Sequence, residues 1–107
     1  MVRVKFFQSR GLLRGFEISG HAGFAPIGED IVCAAVSSAA YMLANTITEV
    51  MGINAKIKVD EAKAYMFLEL NKDNALKCQE LLKGFELHIR QFKEAHGQHI
   101  KVIYGGV

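Results

Sequence analysis

The chain opens on an alternation. Val2, Val4 and Phe6 fall on one side of an extended segment, with Arg3 and Lys5 on the other. A period of two predicts a half-buried strand over Val2–Gln8. Ser9, Arg10 and Gly11 supply a turn, and a second strand from about Leu12 to Ser19 pairs back as an antiparallel hairpin. The alternation returns at Ala55–Val59 and again at Ala64–Leu70. These predict a second hairpin that turns near Asp60, Glu61 and Ala62. A last strand, His99 to Tyr104, precedes Gly105 and Gly106.

Between the strands the period changes. Ile31 to about Val50 is free of Pro and Gly, is rich in Ala, and is followed by Gly52 where a C-terminal cap belongs. Its first half is apolar nearly all round, so this helix is expected to be buried on more than one side. Ala34, Ala35, Ala39 and Ala40 admit close approach of a second element, including another copy of the chain. A second helix, capped by Asn71 or Asp73, is predicted to run to about Ala95. Cys78, Leu81, Leu82, Phe85, Ile89 and Phe92 follow a 3.6-residue period along it, and Gly97 ends it. The order is β-β-α-β-β-α-β. It predicts an α+β fold of two layers, a mostly antiparallel sheet with two helices packed on it. A length of 107 residues fits one domain over residues 1–107.

Composition narrows the function classes. Half of the chain is hydrophobic, enough for a core. With 13 basic and 11 acidic residues the formal charge is +2, and no basic run appears. That argues against direct nucleic-acid binding. Two cysteines, Cys33 and Cys78, give no disulfide framework. The alternating start is no signal peptide, and the longest apolar stretch, Ile31–Val36, is too short to cross a bilayer. A cytoplasmic protein without a membrane partner is expected, and there thiols stay reduced. No cofactor or metal is expected. His96 and His99 resemble a metal-ligand spacing only loosely, with no third ligand near them in sequence.

The chemistry concentrates in one segment. Gly20–Asp30 holds Gly20, Gly23, Gly28 and the only proline, Pro26, and reads as a flexible loop. Asp30 is placed as the N-cap of the first helix, which puts Cys33 in its first turn. The thiol then lies near the positive end of the helix dipole, which favours thiolate. A nucleophile also needs a base, and His21 in the loop is the candidate. Unsatisfied amides of the first helical turn are available to an oxyanion. Ser37, one turn beyond Cys33, supports the site by a hydrogen bond or simply fills a close helix contact. A lone Cys on an apolar helix is more often a packed core residue, and a loop His is more often merely exposed. On residue chemistry alone the pair stands about level with those plainer readings. Cys78 reads as core packing.

Gly20-His21-Ala22-Gly23 followed by Gly28-Glu29-Asp30-Ile31-Val32-Cys33-Ala34-Ala35-Val36-Ser37 resembles the signature of the ribosomal-processing cysteine protease family Prp. The resemblance implies a cysteine endopeptidase with His21 and Cys33 as its catalytic pair. Asp30 and Ser37 match the motif's Asp and Ser. It further implies a ribosomal protein precursor as substrate: the N-terminal extension of large-subunit ribosomal protein twenty-seven (bacterial type), cut after a pair of aromatic residues during ribosome maturation. A homodimer with a mobile loop over the site is implied as well. The competing readings are a non-catalytic ribosome-associated binding module and a redox-sensing thiol.

Overall fold

The computed structural model describes residues 1–20 and 27–106, with only the backbone described for residues 27–29. Strands β1 (Val2–Ser9) and β2 (Leu12–Ser19) form the expected hairpin. Arg10 and Gly11 both take positive φ, 52° and 78°. A two-residue turn of that hand matches the twist of the strands it joins. Helix α1 (Ile27–Asn45) follows and runs on into a π turn, Thr46–Val50. Gly52 then turns left-handed at φ 67°, as the predicted cap requires. The Ile53 amide donates to the Ile47 carbonyl at 2.9 Å. That closure is one residue wider than an ordinary glycine cap because the π turn adds a residue.

Strands β3 (Lys56–Asp60) and β4 (Tyr65–Glu69) form the second hairpin through a 3-10 turn at Glu61–Lys63. Helices α2 (Lys72–Lys77) and α3 (Gln79–His96) come next, and β5 (Ile100–Gly106) closes the chain. The sheet order is β3-β4-β2-β1-β5. Every neighbouring pair is antiparallel except β1 with β5. The α+β, mostly antiparallel arrangement is therefore the one that the alternation predicts. The helices lie on one face. Val4, Phe6, Phe16, Ile18 and Leu68 from the strands meet Val32, Val36 and Ile47 of the first helix and Leu82, Phe85 and Ile89 of α3 in one buried cluster. Phe85 packs on Phe6 and Phe16 at ring-centroid distances of 5.9 and 4.8 Å.

Four details depart from the sequence expectation. Helix α1 starts at Ile27, not Ile31, so Gly28 belongs to the helix and not to a loop. Pro26 precedes it in the sequence, a residue type favoured at helix starts. The single long second helix is two, broken at Cys78, where φ −109° and ψ 9° leave the helical range. Asn71 caps α2, its side chain accepting from the Asn74 amide at 2.8 Å. Strand β5 continues through Gly105 and Gly106, which pair with Phe7 and Gln8 of β1. Finally, Asp30–Val50 has a mean hydropathy of 1.5 and by length and composition alone is able to cross a membrane. The expectation counted an unbroken apolar run, which Ser37 ends. Beyond Ser37 and Ser38 the segment returns to Ala, Tyr, Met and Leu, so its average stays apolar. Its inner side is part of the core of this fold.

The break at Cys78 has a visible cause. Arg14 is the extra residue of a bulge in β2, since Phe7 pairs with Gly15 but Gln8 with Leu13. The Gln79 side chain occupies the gap beside it. Its Oε1 accepts from the Leu13 amide at 3.1 Å, and its Nε2 donates to the Leu13 carbonyl at 2.7 Å and to the Ala75 carbonyl at 2.9 Å. One side-chain amide thus stands in for a neighbouring strand and adds a second donor to the Ala75 carbonyl, which also accepts from the Cys78 amide at 3.0 Å. Replacing Gln79 with Ala should destabilise the fold by about 2–3 kcal/mol, since part-buried backbone groups lose their partners. Denaturant unfolding measures this; a loss below about 0.5 kcal/mol, the level of an ordinary surface substitution, would contradict the role.

Candidate active site

The site is built where three segment ends converge. Strand β2 ends at Ser19, and the Gly20 amide donates to the Ala64 carbonyl at 3.1 Å. Ala64 precedes β4 and adopts a left-handed conformation, φ 50° and ψ 48°. For a residue with a Cβ that conformation costs about 1–2 kcal/mol, which the surrounding hairpin must offset. Above this pair lies Cys33. A methyl group on Gly20 would stand 2.7 Å from Cys33 Sγ and 3.3 Å from Ala64 Cβ. No side chain fits between the strand end and the sulfur without displacing something. Glycine at position 20 is thus needed for space, beyond any flexibility it lends.

Cys33 is half-buried and packed against the core, whereas Cys78 is fully buried. Burial pushes the Cys78 thiol up, with the neighbouring Lys77 charge opposing. Cys78 is the packing residue that the sequence predicts, although it stands at the α2–α3 junction rather than within a helix. Its burial removes it as a resolving partner for a redox-sensing Cys33. Ser37 lies one turn beyond Cys33 on α1 and is half-buried.

Asp30 needs correction. It is the fourth residue of α1 and is exposed, so it is not the N-cap. A carboxylate there still stabilises the positive helix end. Cys33 becomes the seventh residue, about 9 Å along the axis from the helix start at 1.5 Å per residue. The dipole's influence fades within the first turn, so it helps the thiol less than expected. The free amides at the helix start also belong to residues before Cys33. For Cys33 to act as a nucleophile, more of its activation would fall to a partner side chain. His21 and Gly23 lie outside the described residues.

On the opposite face of the sheet Tyr65 locks the same rung. Its hydroxyl donates to Glu17 Oε2 at 2.7 Å. That bond, with some burial and the Glu17 charge, pushes Tyr65 up to about 12. It therefore stays a donor through the working pH range and ties β2 to the start of β4. Neither this lock nor Ala64 carries a signal in the sequence. Each is a product of strand register, with Ser19 facing Tyr65. Among the described residues no group of three His, Cys, Asp or Glu could hold a metal ion.

A two-layer α+β fold that sets a half-buried thiol against a glycine-only strand end has the build of a small cysteine peptidase. Residues 1–101 match the family of cysteine protease Prp, and the chain belongs to that family. It is 27% identical over 97 residues to the ribosomal processing cysteine protease Prp of Bacillus subtilis (strain 168), covering 87% of this chain and 86% of that protein. The crystal structure of SMU.848 from Streptococcus mutans matches with a TM-score of 0.86 and 29% identity, over 100% of this chain and 99% of that one. An essential ribosomal processing protease Prp from S. aureus, in complex with a substrate peptide, matches with a TM-score of 0.87 over 98% of this chain and 100% of that one. At 21% identity the last is a likeness of fold.

The contact at Gly20 is directly testable. Gly20→Ala should lower peptidase kcat/KM on the order of 10²-fold by displacing the sulfur about an ångström. The thermal midpoint should fall by only a few degrees. Activity at the level of the unaltered protein would show that the close approach is incidental.

Proposed function

We propose that the chain is a cysteine endopeptidase in which Cys33 is the nucleophile and His21 its base. One observation carries this reading: the Cys33 sulfur rests against Gly20, the residue that precedes His21. One trans peptide step, about 3.8 Å between Cα atoms, tethers residue 21 to the contact. That tether is shorter than the length of a histidine side chain and its neighbouring backbone, so chain connectivity keeps residue 21 near the sulfur. The anchor of that tether is the Gly20 amide bonded to Ala64.

The chemistry follows from that pair. The thiol passes its proton to the imidazole, and the thiolate attacks the scissile carbonyl carbon. The tetrahedral oxyanion collapses and expels the amine, which takes the proton from the imidazolium. Water, deprotonated by the neutral imidazole, then attacks the thioester. Collapse releases the acid and returns the thiol. Ser37 and Asp30 flank the site on α1 and have supporting roles. The substrate class is a ribosomal protein precursor, since the Bacillus subtilis relative is a ribosomal processing protease. The particular bond is the one implied by the motif. It follows an aromatic pair in the N-terminal extension of large-subunit ribosomal protein twenty-seven (bacterial type). The working compartment is the cytoplasm, where Cys33 stays reduced.

The test is cleavage of that precursor, with products read by mass spectrometry. Cys33→Ala should abolish turnover. His21→Ala should lower kcat by about 10²–10⁴-fold, the range of a lost acid–base group. Undiminished cleavage by Cys33→Ala would sink the reading. Ribosome association that persists in that variant, with no turnover by either protein, would favour the binding-module alternative.

The active form is a homodimer joined through α1. Residues 31–48 carry no charged side chain, yet Ile31 and Met42 are 61% and 68% exposed. A solvent-facing helix side normally carries charges. Beside it a groove of about 560 Å³, lined by Ala35, Ala39, Leu81, Gly84 and Phe85, separates α1 from α3. Small residues there let a second helix approach closely. Met42→Glu should shift the protein to monomer in sedimentation; an unaltered protein that is already monomeric would refute the dimer.

A further inference from the structure

The helix-facing side of the sheet carries side chains in rows across the strands. Under the sulfur lie Gly20 and Ala64. The next row is Ile18, Met66 and Val59, and the one after it Phe16, Leu68 and Ile57. On β2 and β4 these residues are covered: Phe16, Ile18 and Leu68 are 0% exposed and Met66 4%. On β3 the cover stops. Val59 is 45% exposed and Ile57 37%, although they share the face and the rows of buried neighbours. Strand β3 is the edge of the sheet. The result is an apolar ledge, two β-branched residues long, beside the last covered strand.

Isolated exposed apolar residues are ordinary, but this pair has a direction. The ledge runs along β3 into the Asp60–Ala64 turn, and Ala64 is the residue that touches Gly20 below the thiol. Successive rows are about 6.7 Å apart and neighbouring strands about 4.8 Å. The sulfur stands over Gly20 at the end of β2, so Val59 lies one row and two strands away, on the order of 12 Å. That is the span of three to four residues of extended peptide. Ile57 lies two strand residues further, and residues two apart in an extended chain point the same way. Among the described residues no strand pairs with the backbone groups on the outer edge of β3. A chain lying along it is held by main-chain hydrogen bonds, with alternate side chains over the ledge. On the opposite face Lys56 and Lys58 charge this edge strand, a device that discourages indiscriminate strand addition.

We infer that Ile57 and Val59 form an apolar subsite of the peptidase, receiving side chains of a substrate strand laid along β3 three or more residues before the bond cut at Cys33. The inference rests on the cysteine-peptidase reading and adds where specificity resides. A ledge of this kind prefers large apolar side chains, because only they cover both the aliphatic floor and the flank of the helix layer.

The variant for the test is the double substitution Ile57→Thr with Val59→Thr, which keeps β-branched residues in the strand. Two peptides serve as probes: one with Leu at the fourth and sixth positions before the cut bond, and the same peptide with Ala at both, the aromatic pair being kept in each. The unaltered protein should favour the Leu peptide at least tenfold in kcat/KM. The variant should lose most of that preference through a raised KM, with kcat kept. Alkylation of Cys33 by iodoacetamide should proceed at an unchanged rate, showing that the thiol site is intact. An unchanged KM for the Leu peptide would overturn the ledge while leaving the peptidase reading in place. A change of oligomeric state without a change of KM would make the ledge a contact between copies, and overturn it equally. No cleavage of either peptide by the unaltered protein would fail the peptidase reading itself, and the subsite with it.

Discussion

The constraint on which the rest depends is the contact between the Cys33 sulfur and Gly20. A β-strand must end where a helix passes over it, with no side chain between them. That requires α1 to be pressed close to the sheet, which Val32, Val36 and Ala40 accomplish by burying fully against it. It also requires the strand end to be held, which the Gly20–Ala64 hydrogen bond does from one side and the Tyr65–Glu17 bond does from the other face. The thiol is therefore placed by the same packing that stabilises the fold. The proposed partner, His21, follows the anchored glycine directly in the sequence.

This division assigns different physics to the two halves of the pair. The sulfur sits on a helix packed against the core. The proposed base, His21, is flanked in the sequence by Gly20 and Gly23. Because α1 begins at Ile27, Cys33 is nearly two turns from the helix start and draws less from the helix dipole than a first-turn residue would. The account consequently puts more weight on the imidazole as the group that ionises the thiol. Ser37 lies one turn beyond Cys33 on α1, and Asp30 lies exposed near the helix start.

Much of the fold was legible because its causes are local. The alternation at Val2–Phe6 and at Tyr65–Glu69 states which side of each strand is buried. The 3.6-residue spacing of Leu82, Phe85 and Ile89 states the inward face of α3, and Gly52 marks the end of the first helical run. What escaped had non-local causes. The break at Cys78 depends on Gln79 reaching the bulged Leu13, sixty-six residues away. The left-handed Ala64 has no composition signal, since Gly or Asn is the usual occupant. The exposure of Ile57 and Val59 depends on where the helix layer stops, which a period of two along β3 does not express. At the site, Cys33 was legible as a candidate from its sequence context. That its sulfur needs the absence of a side chain at position 20 follows only from the packed structure.

The most direct test of the central claim is to trap the acyl-enzyme. The protein would be mixed with the extended ribosomal precursor or a peptide ester of its aromatic-pair segment, quenched in acid within the first turnover, and digested for mass spectrometry. The account predicts a thioester on the fragment that contains Cys33, with none on the fragment that contains Cys78. Turnover that proceeds with no adduct on Cys33, or with the adduct elsewhere, would contradict it.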